Sequence, residues 1–380
     1  MKKNVWLAIL LLVISGCGGH ENRVEKVMEE GVEVVLSGTE PYELPGVPSP
    51  YDLEEEWVID LEAEDVERAG LYQIDTFAVD DAGNIYILSV RSEETHIFKF
   101  TPDGQFDISF GRNGQGPGEI ARPTEVILAG DNELLVADPE TAKLVYFDGI
   151  GKLLREVTLN RNIPVIYPLS NGNLVVFGRM RPDRDEKFLT YPLELCDKNL
   201  DPIKKLDEFR MENYLVTRRV RGIAPGAGMA VSKERIYTGN EGRGYDIRVF
   251  DLEGALIKKI RKKYKPLPVS EKIKKRVLAR YNENVRSMVF FPETLPPFRT
   301  LAADEKGGLY VVTFEEGDNP DENCIDVFNP DGAFIGRLSA AVFVSPDTPI
   351  DTVARNGRFY YVRETETGFK QLVAEKILTR

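Results

Sequence analysis

From residue 75 onward a single pattern recurs: an apolar strand, a turn rich in Gly, Asn or Asp, a second apolar strand, a variable loop, a strand ending near Phe-Asp, a Gly turn and a last strand. The first copy runs through residues 75–79, the turn Asp80-Asp81-Ala82-Gly83-Asn84, residues 85–90 and 96–100, the turn Pro102-Asp103-Gly104 and residues 105–110. The second runs from Thr124 through Leu134-Leu135-Val136 and Leu144-Val145-Tyr146-Phe147-Asp148 to Leu159. A more divergent third uses Gly172-Asn173-Leu174-Val175-Val176 and ends near Leu206. The fourth has Arg235-Ile236-Tyr237 and Ile247-Arg248-Val249-Phe250-Asp251; the fifth has Leu309-Tyr310-Val311-Val312, Ile325-Asp326-Val327-Phe328 and Pro330-Asp331-Gly332. A period of this kind signals stacked copies of one supersecondary unit, none of which can bury its apolar faces alone.

The sixth copy stops short. It has residues 351–354, the turn Asn356-Gly357, residues 358–362 and residues 369–377, which is three strands rather than four. Trp57-Val58-Ile59-Asp60-Leu61 is a lone strand ahead of the first copy. Both oddities disappear if that strand completes the sixth unit and pairs an edge otherwise left open. The expected fold is therefore all-β, a six-bladed β-propeller over residues 57–380 closed by an N-terminal strand.

The repeats are similar to NHL-type propellers and, more closely, to a family of bacterial six-bladed propeller lipoproteins. The strongest local match is Phe110-Gly111-Arg112-Asn113-Gly114-Gln115-Gly116-Pro117-Gly118-Glu119-Ile120 with Arg122-Pro123, a connection that such proteins carry between blades. Its glycines invite comparison with a phosphate cradle. A dinucleotide fingerprint must open a helix, however, and Pro117 and Pro123 lead into a strand. A tight turn using positive-φ glycines is the expectation.

Ahead of the repeats, Lys2 and Lys3, the apolar run from Val5 to Ile14 and the small residues Ser15 and Gly16 form a signal peptide over residues 1–16. The apolar run is about half the roughly 20 residues a membrane-spanning helix requires. Ile14-Ser15-Gly16-Cys17 resembles a lipobox, which implies lipidation of Cys17 and a cell-envelope location. Gly18 rather than Asp at the next position favours the outer membrane in a diderm organism. Residues 17–56, acidic and containing Pro41, Pro45, Pro48 and Pro50, read as a tether, with residues 32–36 able to form a short strand on the propeller wall.

Removing residues 1–16, which hold two lysines and no acid, takes the formal charge from −13 to −15. That surface repels phosphate backbones and disfavours nucleic acid as a partner. Cys196 and Cys324 fall two copies apart, beyond the ~7 Å that a disulfide spans, so free, part-buried thiols are expected.

Between copies four and five, Ser270 can cap a helix from residue 271 to about 289, with Ile273, Val277, Tyr281, Val285, Met288 and Val289 on one face. The basic residues around it, Lys258, Lys259, Arg261, Lys262, Lys263, Lys265, Lys272, Lys274, Lys275 and Arg276, either balance nearby carboxylates or meet anionic lipid head groups.

Related propellers include lyases and lactonases, but fold alone grants no activity. The chain has two histidines, His20 beside the anchor and His96 in the first copy, so a multi-histidine zinc site is impossible. No G-x-S-x-G elbow occurs, and His96 reads as structural. Glu315, Glu316, Asp318, Asn319, Asp321 and Glu322 form the most acidic loop but lack EF-hand spacing; calcium is the single candidate cofactor.

Connections into first strands and loops after second strands gather at one mouth of a propeller's channel. Arg122 and Arg299 precede first strands, and Arg91, Arg179 and Arg363 follow second strands. Brought together they would form a positive mouth for carboxylate, sulfate or phosphate groups. The leading expectation is a monomeric, membrane-tethered, non-catalytic module for an envelope protein, peptide or glycan. A calcium-dependent lactonase or hydrolase is the alternative, so the enzyme question stays open with the balance against catalysis.

Overall fold

The computed structural model describes residues 24–130, 133–159, 165–178, 187–342 and 352–380. Six antiparallel sheets, one per repeat, follow each other around an axis. Blade 1 comprises Thr76–Val79, Ile85–Leu88, Thr95–Phe100 and Phe106–Arg112. Blade 2 comprises Glu125–Leu128, Leu134–Asp138, Lys143–Phe147 and Leu153–Thr158, and blade 3 Val165–Pro168, Leu174–Phe177, Phe188–Cys196 and Pro202–Glu212. Blade 4 is built on Ala227–Val231, Ile236–Asn240, Asp246–Phe250 and Leu256–Lys262, and blade 5 on Thr300–Ala303, Leu309–Glu316, Asn323–Phe328 and Phe334–Ala340. Blade 6 takes Thr352–Arg355, Arg358–Glu364 and Lys370–Thr379 from the C-terminus and its outermost strand, Pro50–Asp60, from the N-terminal region. The closing strand starts earlier than residue 57 and runs antiparallel to the last strand from Thr379↔Pro50 to Gln371↔Asp60.

The repeated turns are set by local chemistry. Asp148 Oδ1 accepts from the backbone N–H groups of Ile150 (3.1 Å) and Lys152 (2.8 Å), and the same arrangement recurs at Asp197 and Asp251. An Asp side chain that satisfies its own turn's donors specifies the turn before any tertiary contact forms. The glycine closing such a turn has a second duty. Gly151 has φ +84°, and a Cβ there would stand 2.4 Å from the Phe110 ring of the preceding blade.

Period two along each strand decides the packing. In blade 6, Tyr360 enters the apolar cluster shared with blade 1, while Phe359 and Tyr361 enter the cluster shared with blade 5. Each seam between neighbouring blades holds one such cluster. The core is thus spread around the ring, and strands buried on both faces, such as Ile85–Leu88, read as unbroken apolar runs.

The segment read as a tether is docked from residue 24. Glu25–Glu29 and Val32–Ser37 form a hairpin whose second strand pairs in parallel with Leu256–Lys262, extending blade 4 to six strands. Charge and burial explain why. The outer edge of blade 4 presents basic side chains, and the hairpin brings Glu33 to Lys258 (3.5 Å) and Glu29 to Lys259 (3.2 Å) and Arg261 (2.6 Å), while Val34 and Val35 are wholly buried. The basic run is therefore largely consumed by carboxylates, since Lys262 is also paired, with Asp326.

The insertion is shorter in helix than its periodicity predicts. Ser270 does cap it, accepting from the Ile273 N–H, but the helix Glu271–Leu278 ends there. Asn282 then accepts from the Val285 N–H and starts a separate turn, Glu283–Arg286, and Val289–Phe290 is extended and pairs in parallel with Val220–Arg221. An Asn that caps a new turn breaks the helix that apolar spacing alone would continue.

Cys196 and Cys324 are both free and buried, and burial pushes the Cys324 thiol up to about 12.

Candidate functional site: the channel mouth

The innermost strands are the shortest, and their side chains wall an axial cavity of about 1140 Å³. Thr76, Glu125, Val165, Ala227, Thr300 and Thr352 each come from the first strand of a different blade. Antiparallel alternation brings the entries to these strands and the loops after the second strands to one end. There the insertion crosses the opening. Ile273 and Val277 of its helix pack with Ile223, Val269, Leu295 and Phe314, and Ser270, Lys272 and Arg276 face the cavity. A bidentate pair, Arg221 with Glu241, ties this cap to blade 4, and Glu241 also accepts from the Gly226 N–H.

The predicted arginine ring does not assemble. Cys17 and Arg179 lie outside the described residues. Of the other four arginines, only Arg299 lines the cavity. Arg91 and Arg122 are exposed away from it. The Arg122 backbone N–H donates to Asp138, a buried carboxylate that gathers the donors of this loop. Arg363 is engaged by Glu55 (2.6 Å) and by Gln371 (2.7 Å). The reason is directional: a residue up to three places from a strand end can project along the blade's flank as easily as toward the axis.

Arg299 differs from all of these. Its backbone N–H donates to Val312, which fixes its root, and its guanidinium lies 4.1 Å from the centre of the Phe314 ring. Nε and Nη1 are occluded and have no hydrogen-bond partner, and among the described residues no carboxylate pairs with the side chain. Burial, with the positive charge of Arg276 as the second cause, pushes its pKa down to about 9. Arg276 is exposed and has no ion-pair partner among the described residues. By sequence Arg276 and Lys272 belong to a basic surface cluster; only the fold of the insertion turns them to the channel.

Carboxylates line the mouth too, among them Glu316, Asp321, Glu364 and Glu366. Within the acidic loop, Glu322 is held by Ser339 and by Asn319 (2.7 Å), and Glu315 is 4.0 Å from Arg337. Among the described residues no group of three or more His, Cys, Asp or Glu side chains is close enough to hold a metal ion. His96 is 1% exposed, and its Nδ1–H donates to the Ser89 carbonyl at 2.9 Å. The glycine loop after blade 1 is occupied from within: Gly116 N–H donates to Glu119 Oε2 (2.9 Å), and a Cβ at Gly114 would meet the same oxygen.

Residues 56–224, which span the end of the closing strand and blades 1–3, match the DUF5128 family model, described as a 6-bladed beta-propeller. The chain is a six-bladed β-propeller. Among solved structures it is similar to a Bacteroides fragilis protein assigned as exported, with 13% identity, a TM-score of 0.54 and coverage of 91% of this propeller and 99% of the other chain. A DUF4221-family protein of Bacteroides vulgatus aligns at 13% identity and TM-score 0.48 over 95% of this propeller and 100% of its own length. A Xanthomonas campestris gluconolactonase aligns at 12% identity and TM-score 0.41, covering 87% and 98% of the two chains. No curated protein matches the propeller at a comparable level.

Proposed function

We propose that this propeller is exported, anchored on the cell envelope through a lipid on Cys17, and acts as a non-catalytic recognition module for an envelope protein, peptide or glycan. One observation carries the recognition role: an axial channel of about 1140 Å³, large enough for a ligand, whose wall presents apolar side chains beside charged ones of both signs. The signal features of residues 1–16, Cys17 directly behind them, and a similar fold in an exported protein support the location. The hairpin from Glu25 binds the propeller only a few residues beyond Cys17. Such a short leash keeps the body close to the membrane surface.

Two measurements test the reading. Cys17→Ala moves the protein from the membrane fraction to the soluble fraction if the anchor is the lipid. For recognition, Ala227 is exposed and lines the channel, so Ala227→Trp narrows the opening without touching the seams. Cross-linking in intact cells gives an adduct with wild type that Ala227→Trp loses. Identical adducts from both proteins place recognition elsewhere on the surface.

A further inference from the structure

A guanidinium taken out of water normally brings a carboxylate with it, because an unpaired buried charge is costly. Other partly buried arginines of this propeller obey the rule. Arg243 is bidentate with Asp207 (3.0 and 2.8 Å), Arg261 with Glu29 (2.6 and 2.9 Å), and Arg221 with Glu241. Among the described residues Arg299 breaks it, and does so on the wall of the cavity. Its neighbour in charge, Arg276, repels it. Among the described residues Arg299 and Arg276 have no carboxylate partner, although Glu316, Asp321, Glu364 and Glu366 line the same mouth, and so they mark a place that a ligand's negative group can fill.

The surroundings indicate which negative group. With Nε and Nη1 occluded, Nη2 is the nitrogen left to reach the cavity, so Arg299 offers one contact rather than a two-pronged fork. Phe314 behind the guanidinium holds its plane. Ile223, Ile273, Val277 and Leu301, all lining residues, supply an apolar wall beside it. Inorganic phosphate meets one free nitrogen on Arg299, with Arg276 and Lys272 the other cations on this part of the cavity, and has no organic body to cover the apolar wall. A carboxylate has two oxygens and an organic body to cover that wall. We propose that Arg299 and Arg276 form the anion subsite of the channel and take the carboxylate of a ligand with an apolar body, one oxygen on each guanidinium. This rests on the channel being the recognition site.

The full-length lipoprotein in detergent tests this with three probes: phenylacetate, its neutral analogue phenylacetamide, and inorganic phosphate. Phenylacetate is expected to raise Tm more than either of the others. Losing a charge-assisted hydrogen bond weakens binding about tenfold or more, so Arg299→Met should abolish the phenylacetate advantage and Arg276→Gln should reduce it. Arg299→Met should also raise Tm without ligand, because it replaces a part-buried charge, unpaired among the described residues, by an apolar chain. Arg276→Gln, on an exposed helix position, leaves the fold unaffected and keeps the test valid if Arg299→Met folds poorly. Equal shifts with phenylacetate and phenylacetamide, a phenylacetate shift retained in both variants, or no shift at all overturn the subsite. A larger response to phosphate overturns the carboxylate assignment. Binding of both phenyl compounds without dependence on Arg299 or Arg276 leaves the channel as the recognition site and removes the anion subsite alone.

Discussion

Lys262 Nζ lies 2.7 Å from Asp326 Oδ2 across the seam between blades 4 and 5, with the two side chains 1% and 0% exposed. Tyr245 donates to the same oxygen at 2.7 Å, and Lys262 sits 4.8 Å from the centre of the Phe334 ring. Burial, then the Asp326 charge, pushes the Tyr245 hydroxyl well above its ordinary pKa, which keeps it a donor. Removing one partner of a buried pair strands the other, at about 3–5 kcal/mol. Asp326→Ala should therefore lower the urea midpoint sharply. The double variant Lys262→Met with Asp326→Leu should recover most of the loss, since apolar replacement of both charges is often neutral. If the double variant is no better than the single, the pair is not what holds this seam.

Ring closure depends on Gly104 and Trp57. Gly104 has φ +78°, and a Cβ there would lie 2.9 Å from Cε3 of Trp57, on the closing strand. Gly172 has φ +85° with nothing within 4 Å of a Cβ. Gly172→Ala should cost about 1 kcal/mol from backbone strain alone, whereas Gly104→Ala should add an overpacking cost of about 1–3 kcal/mol. Equal losses in thermal denaturation would show that Trp57 does not press on this turn.

The hairpin clasp should loosen in acid. Its Glu29 carboxyl is held below its ordinary value of 4.5, chiefly by the hydrogen bond from Arg261 and against the effect of burial. A depressed carboxylate contributes stability that is present above its unfolded value and lost as pH falls through the folded one. The protection of amides in Val32–Ser37, taken relative to the intrinsic exchange rate at each pH, should fall as the pH drops below that ordinary value, ahead of protection in the inner strands. Glu29→Gln should show the reduced protection already at neutral pH, with a flatter acid response.

Glu375 gives the opposite slope. Burial, the first cause, raises its carboxyl to about 7; Glu55 and Glu322 add to this, while Tyr361 and Arg363 oppose it. Between the unfolded value of 4.5 and about 7 the folded state binds the extra proton, so this group makes stability fall as pH rises through that window. Glu375→Gln should flatten the decline and raise stability above neutrality. An unchanged pH profile in the variant would show that Glu375 is charged throughout.

Much of this architecture is legible because it is local. Asp148, Asp197 and Asp251 announce their turns through hydrogen bonds spanning four residues, and the alternation Phe359, Tyr360, Tyr361 already describes a strand with two buried faces. The site is less legible. The repeat assigns Arg122, Arg299 and Arg363 alike to the mouth end of their blades, yet one is exposed, one stands in the channel without a carboxylate partner among the described residues and one is paired with Glu55.

The sequence by itself determined the number of blades, the turn chemistry and the missing strand of blade 6, since these depend on residues close in the chain and on a period of two. Tertiary structure alone decided which charges cancel. Glu29 and Arg261 are 232 residues apart, and Lys262 and Asp326 are 64 apart. Electrostatic pairing falls off over a few ångströms, so only the folded ring shows that these cations are consumed and that Arg299, which feels the charge of Arg276, has no carboxylate partner among the described residues.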